Sequence, residues 1–138
     1  MIQYQQEKSI STQEFIRVLN NSTLGERRPV DDKERIQKMI DHSNLIITAR
    51  ENGKLIGVAR SFTDFAFCTY MSDLAVDMAY QKQGIGVELI RQTKLLTLDA
   101  KLILIAAPAA EKYYPKIGMD KRDYCFTLDE IMNLRSTP

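Results

Sequence analysis

Apolar residues recur along this chain with two periods, and the change of period divides it. Residues 2–9 read as a short strand. Ser11 and Glu14 then stand three apart, as in a capping box, and Phe15, Val18 and Leu19 follow at helical spacing until Asn20 and Asn21. A polar connection over 21–29 leads to a second capping signal, Asp31 with Glu34. Behind it Ile36, Met39 and Ile40 form one apolar stripe. From residue 45 the period shortens. Residues 45–50 and 54–62 are rich in apolar and β-branched side chains, and Asn52-Gly53 between them is a strong hairpin signal. Residues 69–76 continue the antiparallel run. After a glycine-containing turn, a helix buries Ile85, Leu89, Thr93 and Leu96 and exposes Glu88, Arg91, Gln92 and Lys94. The continuously apolar run 102–105 fits a parallel strand covered on both faces, which makes 69–106 a βαβ unit. A short helix over 109–116 and a last strand over 119–128 complete the order β-α-α-β-β-β-α-β-α-β.

Composition narrows the functional classes. The chain of 138 residues fits a single domain spanning 1–138, and 44% hydrophobic with 27% charged residues is ordinary for a globular protein. A formal net charge of +1 gives no global field toward nucleic acid or anionic membrane, so an anionic ligand must be recognised by local geometry. Neither a signal peptide nor an apolar run long enough to span a membrane is present, and a soluble, cytoplasmic protein is expected. Cys68 and Cys125 lie in no metal-ligand spacing, so no metal site is expected and both thiols are read as buried core residues.

The chemistry points to one turn, Gln81-Lys82-Gln83-Gly84-Ile85-Gly86, between a strand and a helix. A helix start carries free N–H groups and a partial positive charge, and so attracts an anion. Gly84 and Gly86 let a ligand oxygen approach the main chain, and Lys82 adds a mobile cation. The string is not a P-loop, and it lacks the third glycine of a dinucleotide fingerprint.

Gln81-x-x-Gly84-x-Gly86 resembles the Gln/Arg-x-x-Gly-x-Gly/Ala acyl-CoA-binding motif of the GNAT acetyltransferase superfamily. Asp73-Leu74-Ala75-Val76 looks like the central strand of that family. Tyr114-Pro115-Lys116-Ile117-Gly118-Met119 is similar to its Tyr-x-x-x-Gly-Phe motif, with Met119 in place of phenylalanine. The resemblance implies a mixed α/β fold with a mostly antiparallel central sheet, helices on both faces and a splayed parallel strand pair that binds acyl-CoA. It further implies transfer of an acetyl group from acetyl-CoA to a primary amine of a small molecule or peptide, directly within a ternary complex. The alternative is a non-catalytic acyl-CoA-binding or sensing domain.

By the same resemblance, pantetheine would bond the main chain along Leu74, Ala75 and Val76. The pyrophosphate would take amides of Gln83, Gly84, Ile85, Gly86 and Val87, with Gln81 and Lys82 in the same turn. Tyr114 would protonate the departing thiolate. Many relatives carry an asparagine seven residues before this tyrosine, where this chain has Ala107. Asp73 and Asp64 are the candidate bases. His42, the only histidine, suits the end of a helix better than catalysis. Arg27-Arg28 would border the acceptor cleft, and Lys112, Lys116, Lys121 and Arg122 form a basic cluster that reads as a solvated face. The exposed final strands offer pairing edges for a homodimer.

Overall fold

A computed structural model describes residues 1–136; the chain divides into two compact units, one Met1–Ala107 and the other beginning at Pro108. The first unit is built on one five-stranded sheet in the order β1-β2-β3-β4-β5, comprising β1 (Ile2–Glu7), β2 (Leu45–Glu51), β3 (Lys54–Thr63), β4 (Cys68–Val76) and β5 (Lys101–Leu104). The first four strands pair antiparallel, and β4 with β5 is parallel. This is the mixed, mostly antiparallel α/β fold expected from the sequence.

Helices cover both faces because β2 alternates. Ile46 points toward α1 (Thr12–Asn21) and α2 (Lys33–His42), where it packs with Phe15, Val18, Leu19, Ile36 and Ile40. Leu45, Ile47 and Ala49 point the other way, toward Ile85 and Leu89 of α3 (Ile85–Leu95). Burial of these apolar residues is the main favourable contribution to folding. Gly57 sits under the start of α3. A Cβ there would come within 3.3 Å of Ala49, Ile85 and Leu89, so its absence lets the helix approach the sheet closely.

Local signals behave largely as their chemistry predicts. Ser11 caps α1 in a complete capping box, its hydroxyl accepting from the Glu14 amide while Glu14 accepts from the Ser11 amide. The second cap is Asp32, one residue beyond the expected Asp31, because its side chain reaches the Arg35 amide. Asn52 and Gly53 adopt φ of 50° and 83° in the β2–β3 turn.

Other expectations need correction. Leu96 lies just past the end of α3 and is exposed, and Thr97 turns inward instead. The run 102–105 is covered on one face only: β5 is an edge strand, with Ile103 and Ile105 exposed. The expected last strand over 119–128 is absent. Residues 120–136 are exposed and hold only one 3-10 turn, Ile131–Asn133, because no strand of the described residues pairs with them. Both cysteines are exposed rather than buried, Cys68 at the start of β4 and Cys125 in that irregular stretch. The expected 109–116 helix is a 3-10 turn, Pro108–Ala110, followed by α4 (Tyr113–Lys116).

Candidate active site

The site begins where β4 leaves β5. Parallel pairing runs from Cys68↔Lys101 to Met71↔Leu104 and stops there, although β4 continues to Val76. At that point the β3–β4 register shifts: Arg60 opposes Asp73 and Ser61 opposes Met71, which leaves Ser72 as an extra residue in β4. A bulge of this kind bends its strand and increases the local twist. The second half of β4 therefore has β3 on one side and no strand on the other.

Ladder alternation gives the direction of each peptide group along this open edge. The Asp77 amide donates to the Ile56 carbonyl, so Asp77, Ala75 and Asp73 face β3 while Val76 and Leu74 face away. The Val76 carbonyl accepts from Gln81 Nε2 at 3.0 Å. The Leu74 peptide group has no protein partner among the described residues on that side.

The glycine turn follows directly. Asp77 folds back on the Ala79 amide at 2.9 Å and Tyr80 donates its hydroxyl hydrogen to Glu51 at 2.9 Å, so both ends of the short 3-10 turn Met78–Tyr80 are tied to the sheet. Lys82 and Gly84 then adopt left-handed φ of 65° and 79°. Gly84 is the N-cap of α3 and offers no side chain to its amides. Among the described residues the amides of Gly84, Ile85, Gly86 and Val87 donate to no protein acceptor. Four orphan donors at the positive end of a helix make an anion cradle. Gln81, Lys82 and Gln83 are exposed in the same turn.

Asp73 does not border an open site as a free acid. Its side chain is fully buried, one oxygen accepting from Arg28 Nε and the other from Arg60 Nε, each at 2.5 Å. Arg28 also donates to the Ser72 carbonyl at 2.7 Å, and Arg60 to the Ser72 hydroxyl at 3.1 Å and the Met39 carbonyl at 3.0 Å. The Arg60 guanidinium lies over the Phe62 ring, 5.4 Å from its centroid. This cluster holds the bulged Ser72 from two sides. It was invisible in the sequence, since Arg28 and Arg60 stand 45 and 13 residues from Asp73.

Asp64, which is exposed, is engaged through one oxygen. One of its oxygens accepts from the amides of Ala66, Phe67 and Cys68, and these backbone bonds hold its carboxyl below the usual range. With His42, Asn44, Phe62, Thr63, Cys68, Tyr70 and Ile103 it lines a cavity of about 440 Å³.

In the second unit, Tyr114 is half-buried in α4, and its ring meets Tyr113 edge-on with centroids 5.2 Å apart. Burial, with a smaller effect from Tyr113, raises its pKa above the ordinary 10.0. Lys121 pairs with Glu111 at 2.7 Å. Among the described residues no group of three or more His, Cys, Asp or Glu could hold a metal, and no helix is long and apolar enough to cross a membrane.

The mixed sheet thus opens beside a helix N-terminus lined with orphan amides. The chain belongs to the GNAT acetyltransferase family, whose model, described as "Acetyltransferase (GNAT) family", matches residues 12–119. No curated protein matches it significantly by sequence. Solved structures share the fold at low identity. A GNAT family acetyltransferase from Streptococcus pneumoniae superposes with a TM-score of 0.77 at 20% identity, covering 95% of this chain and 98% of its own. A ribosomal-protein-alanine N-acetyltransferase from Brucella melitensis biovar Abortus reaches 0.70 at 17% identity, covering 94% and 99%. An aminoglycoside acetyltransferase from an uncultured soil metagenomic sample, in complex with sisomicin, reaches 0.64 at 19% identity, covering 93% and 97%.

Proposed function

We propose that this chain moves an acetyl group from acetyl-CoA to a primary amine of a small molecule or peptide, by direct transfer in a ternary complex. The observation that carries this reading is the run of orphan amides from Gly84 to Val87 beside the unpaired Leu74 peptide. The amides fit a pyrophosphate. The open edge of β4, with Leu74, Ala75 and Val76 along it, fits the amide-bearing pantetheine arm as a substitute strand. Gln81 holds the turn against the end of β4, and Lys82 adds a cation at its rim. The Leu74 N–H is a donor available to the thioester carbonyl.

Chemistry then needs a neutral amine. Its lone pair forms the new C–N bond as the C–S bond breaks, and Tyr114 gives the thiolate its proton and recovers one from solvent. A phenol is protonated at neutral pH, as a proton donor must be. Proton removal from the amine is assigned to solvent, because Asp73 is buried between two guanidinium groups and Asp64 lies in the turn before β4, a strand's length from Leu74. Asp73 is reassigned as a positioning residue for the β4 bulge.

A thermal-shift titration with acetyl-CoA tests the binding half. Saturating ligand at 100 times its Kd should stabilise the chain by about 2.7 kcal/mol. No shift at millimolar acetyl-CoA would defeat the reading. Release of coenzyme thiol across a panel of amines tests the transfer half. Tyr114→Phe should lower turnover while leaving the acetyl-CoA shift unchanged. Equal turnover in that variant would remove Tyr114 from the chemistry.

A further inference from the structure

Resting on the transferase reading above, we infer that the acceptor carries an oxyanion, a carboxylate or phosphate, near its amine, and that Arg28 binds it. The observation is a charge imbalance. Two guanidinium groups, Arg28 and Arg60, share the single carboxylate of Asp73, and no other acid lies in an ion pair with either among the described residues. One carboxylate cannot neutralise two guanidinium groups, so a further anion is favoured wherever the surplus charge can be reached.

The surplus falls on Arg28 rather than Arg60. Arg60 is 3% exposed, donates to the Met39 carbonyl in the last turns of α2, and stacks on Phe62. The negative end of the α2 dipole supplies about half a counter-charge there. Arg28 has no such help. Its side chain is 21% exposed, and three of its five N–H groups are used, by Asp73, the Arg27 carbonyl and the Ser72 carbonyl. One N–H remains on each terminal nitrogen of the guanidinium, a group that binds carboxylate and phosphate well.

The contrasting cluster supports this reading. Arg50 with Glu7 and Glu14 has an excess of negative charge, but Glu14 lies in the first turn of α1, at its positive end, and Glu7 accepts from Thr48 and Gln5. That surplus is answered within the fold. The one at Arg28 is not.

Location connects the surplus to the reaction. Arg28 grips Ser72 and Asp73, and the open Leu74 peptide is the next residue along β4. One or two strand residues span roughly 3–7 Å. An amine placed beside the thioester at Leu74 would thus have its anion within a few bonds of the nitrogen, as in an amino acid or an aminoalkyl phosphate.

Two measurements test the inference. In the first, the full chain labelled with 15N is titrated at constant ionic strength with acetate, inorganic phosphate or neutral acetamide, free coenzyme A being present throughout. The Arg28 Nε–H signal should shift saturably with acetate or phosphate and not with acetamide. Followed instead at the backbone amides of Ser72 to Leu74, which every variant retains, binding should weaken at least tenfold in Arg28→Gln and less in Arg28→Lys. Equal responses to acetate and acetamide, or a shift that never saturates, would overturn it even if the glutamine variant failed to fold. In the second, thiol release, referred to the concentration of neutral amine, is compared for glycine against glycinamide and for phosphoethanolamine against ethanolamine. The anionic member of at least one pair should be favoured at least tenfold in kcat/KM, and Arg28→Gln should erase that preference. The pair that responds distinguishes carboxylate from phosphate. A preference for the uncharged member of both pairs would also overturn it. Saturable anion binding with no thiol release from any amine would count against the transferase reading while upholding the anion site.

Discussion

Removing one carboxylate from between two guanidinium groups leaves like charges facing each other in a buried site. Asp73→Ala should therefore destabilise the fold by about 3–5 kcal/mol, the usual cost of breaking a buried pair. Urea unfolding measures this, and a loss under about 1 kcal/mol would show the cluster to be far less constrained than its geometry indicates. Ser61 is the opposite case. Its hydroxyl is buried with no hydrogen-bond partner among the described residues, so Ser61→Ala should be neutral or stabilising by about 1 kcal/mol. The Arg50 cluster gives a pH signature. Burial alone would raise the pKa of Glu7 and Glu14, but hydrogen bonds from Arg50 and neighbours outweigh it and lower both below 4.5. A depressed acid contributes stability that is fully present above its unfolded pKa and lost as pH falls through the folded value. Unfolding free energy should therefore drop below about pH 4.5, and Glu7→Gln should flatten that drop. An identical slope in the variant would show that other groups dominate acid unfolding.

Among the elements, the turn into α3 is the most sharply defined by its backbone. Gly84 has φ +79° with open space where a Cβ would stand, so Gly84→Ala should cost only backbone strain, about 1–2 kcal/mol. Gly84→Asn should cost less, because asparagine tolerates the left-handed region. Thermal melts of the two variants check the order; alanine as benign as asparagine would mean the turn relaxes. The strand–turn–helix around Gly84 was legible in the sequence because its signals are local: glycine spacing, a preceding apolar strand and an amphipathic helix. The Asn52-Gly53 hairpin and the Ser11–Glu14 capping box were legible for the same reason. What failed depended on distant partners. Tyr124, Phe126 and Leu128 alternate like a strand, but a strand exists only when another pairs with it. Asp73 read as a candidate base because Arg28 and Arg60 come to it from other elements. The bulge at Ser72, which ends the β4–β5 pairing and opens the site, leaves no local mark in the sequence.

At the scale of the whole chain, stability is unevenly distributed, and hydrogen exchange should reveal it. The buried side chains of the first unit line two clusters on either side of the sheet, and the central strands β2, β3 and β4 carry most of the paired backbone. Their amides can exchange only through opening of the sheet, at a free energy near that of global unfolding. The described residues of the second unit include none that is fully buried, and residues 120–136 are exposed with few backbone hydrogen bonds. Amides there should exchange within seconds to minutes, while those of β3 persist for hours or longer under native conditions. Acetyl-CoA refines the expectation: if the Gly84–Val87 amides take its pyrophosphate, those four N–H groups should pass from fast to slow exchange when ligand is added. The already protected β3 amides should slow only by the global stabilisation. Protection spread evenly over the chain, with no larger gain at Gly84–Val87, would mean that the coenzyme stabilises the fold from some other place.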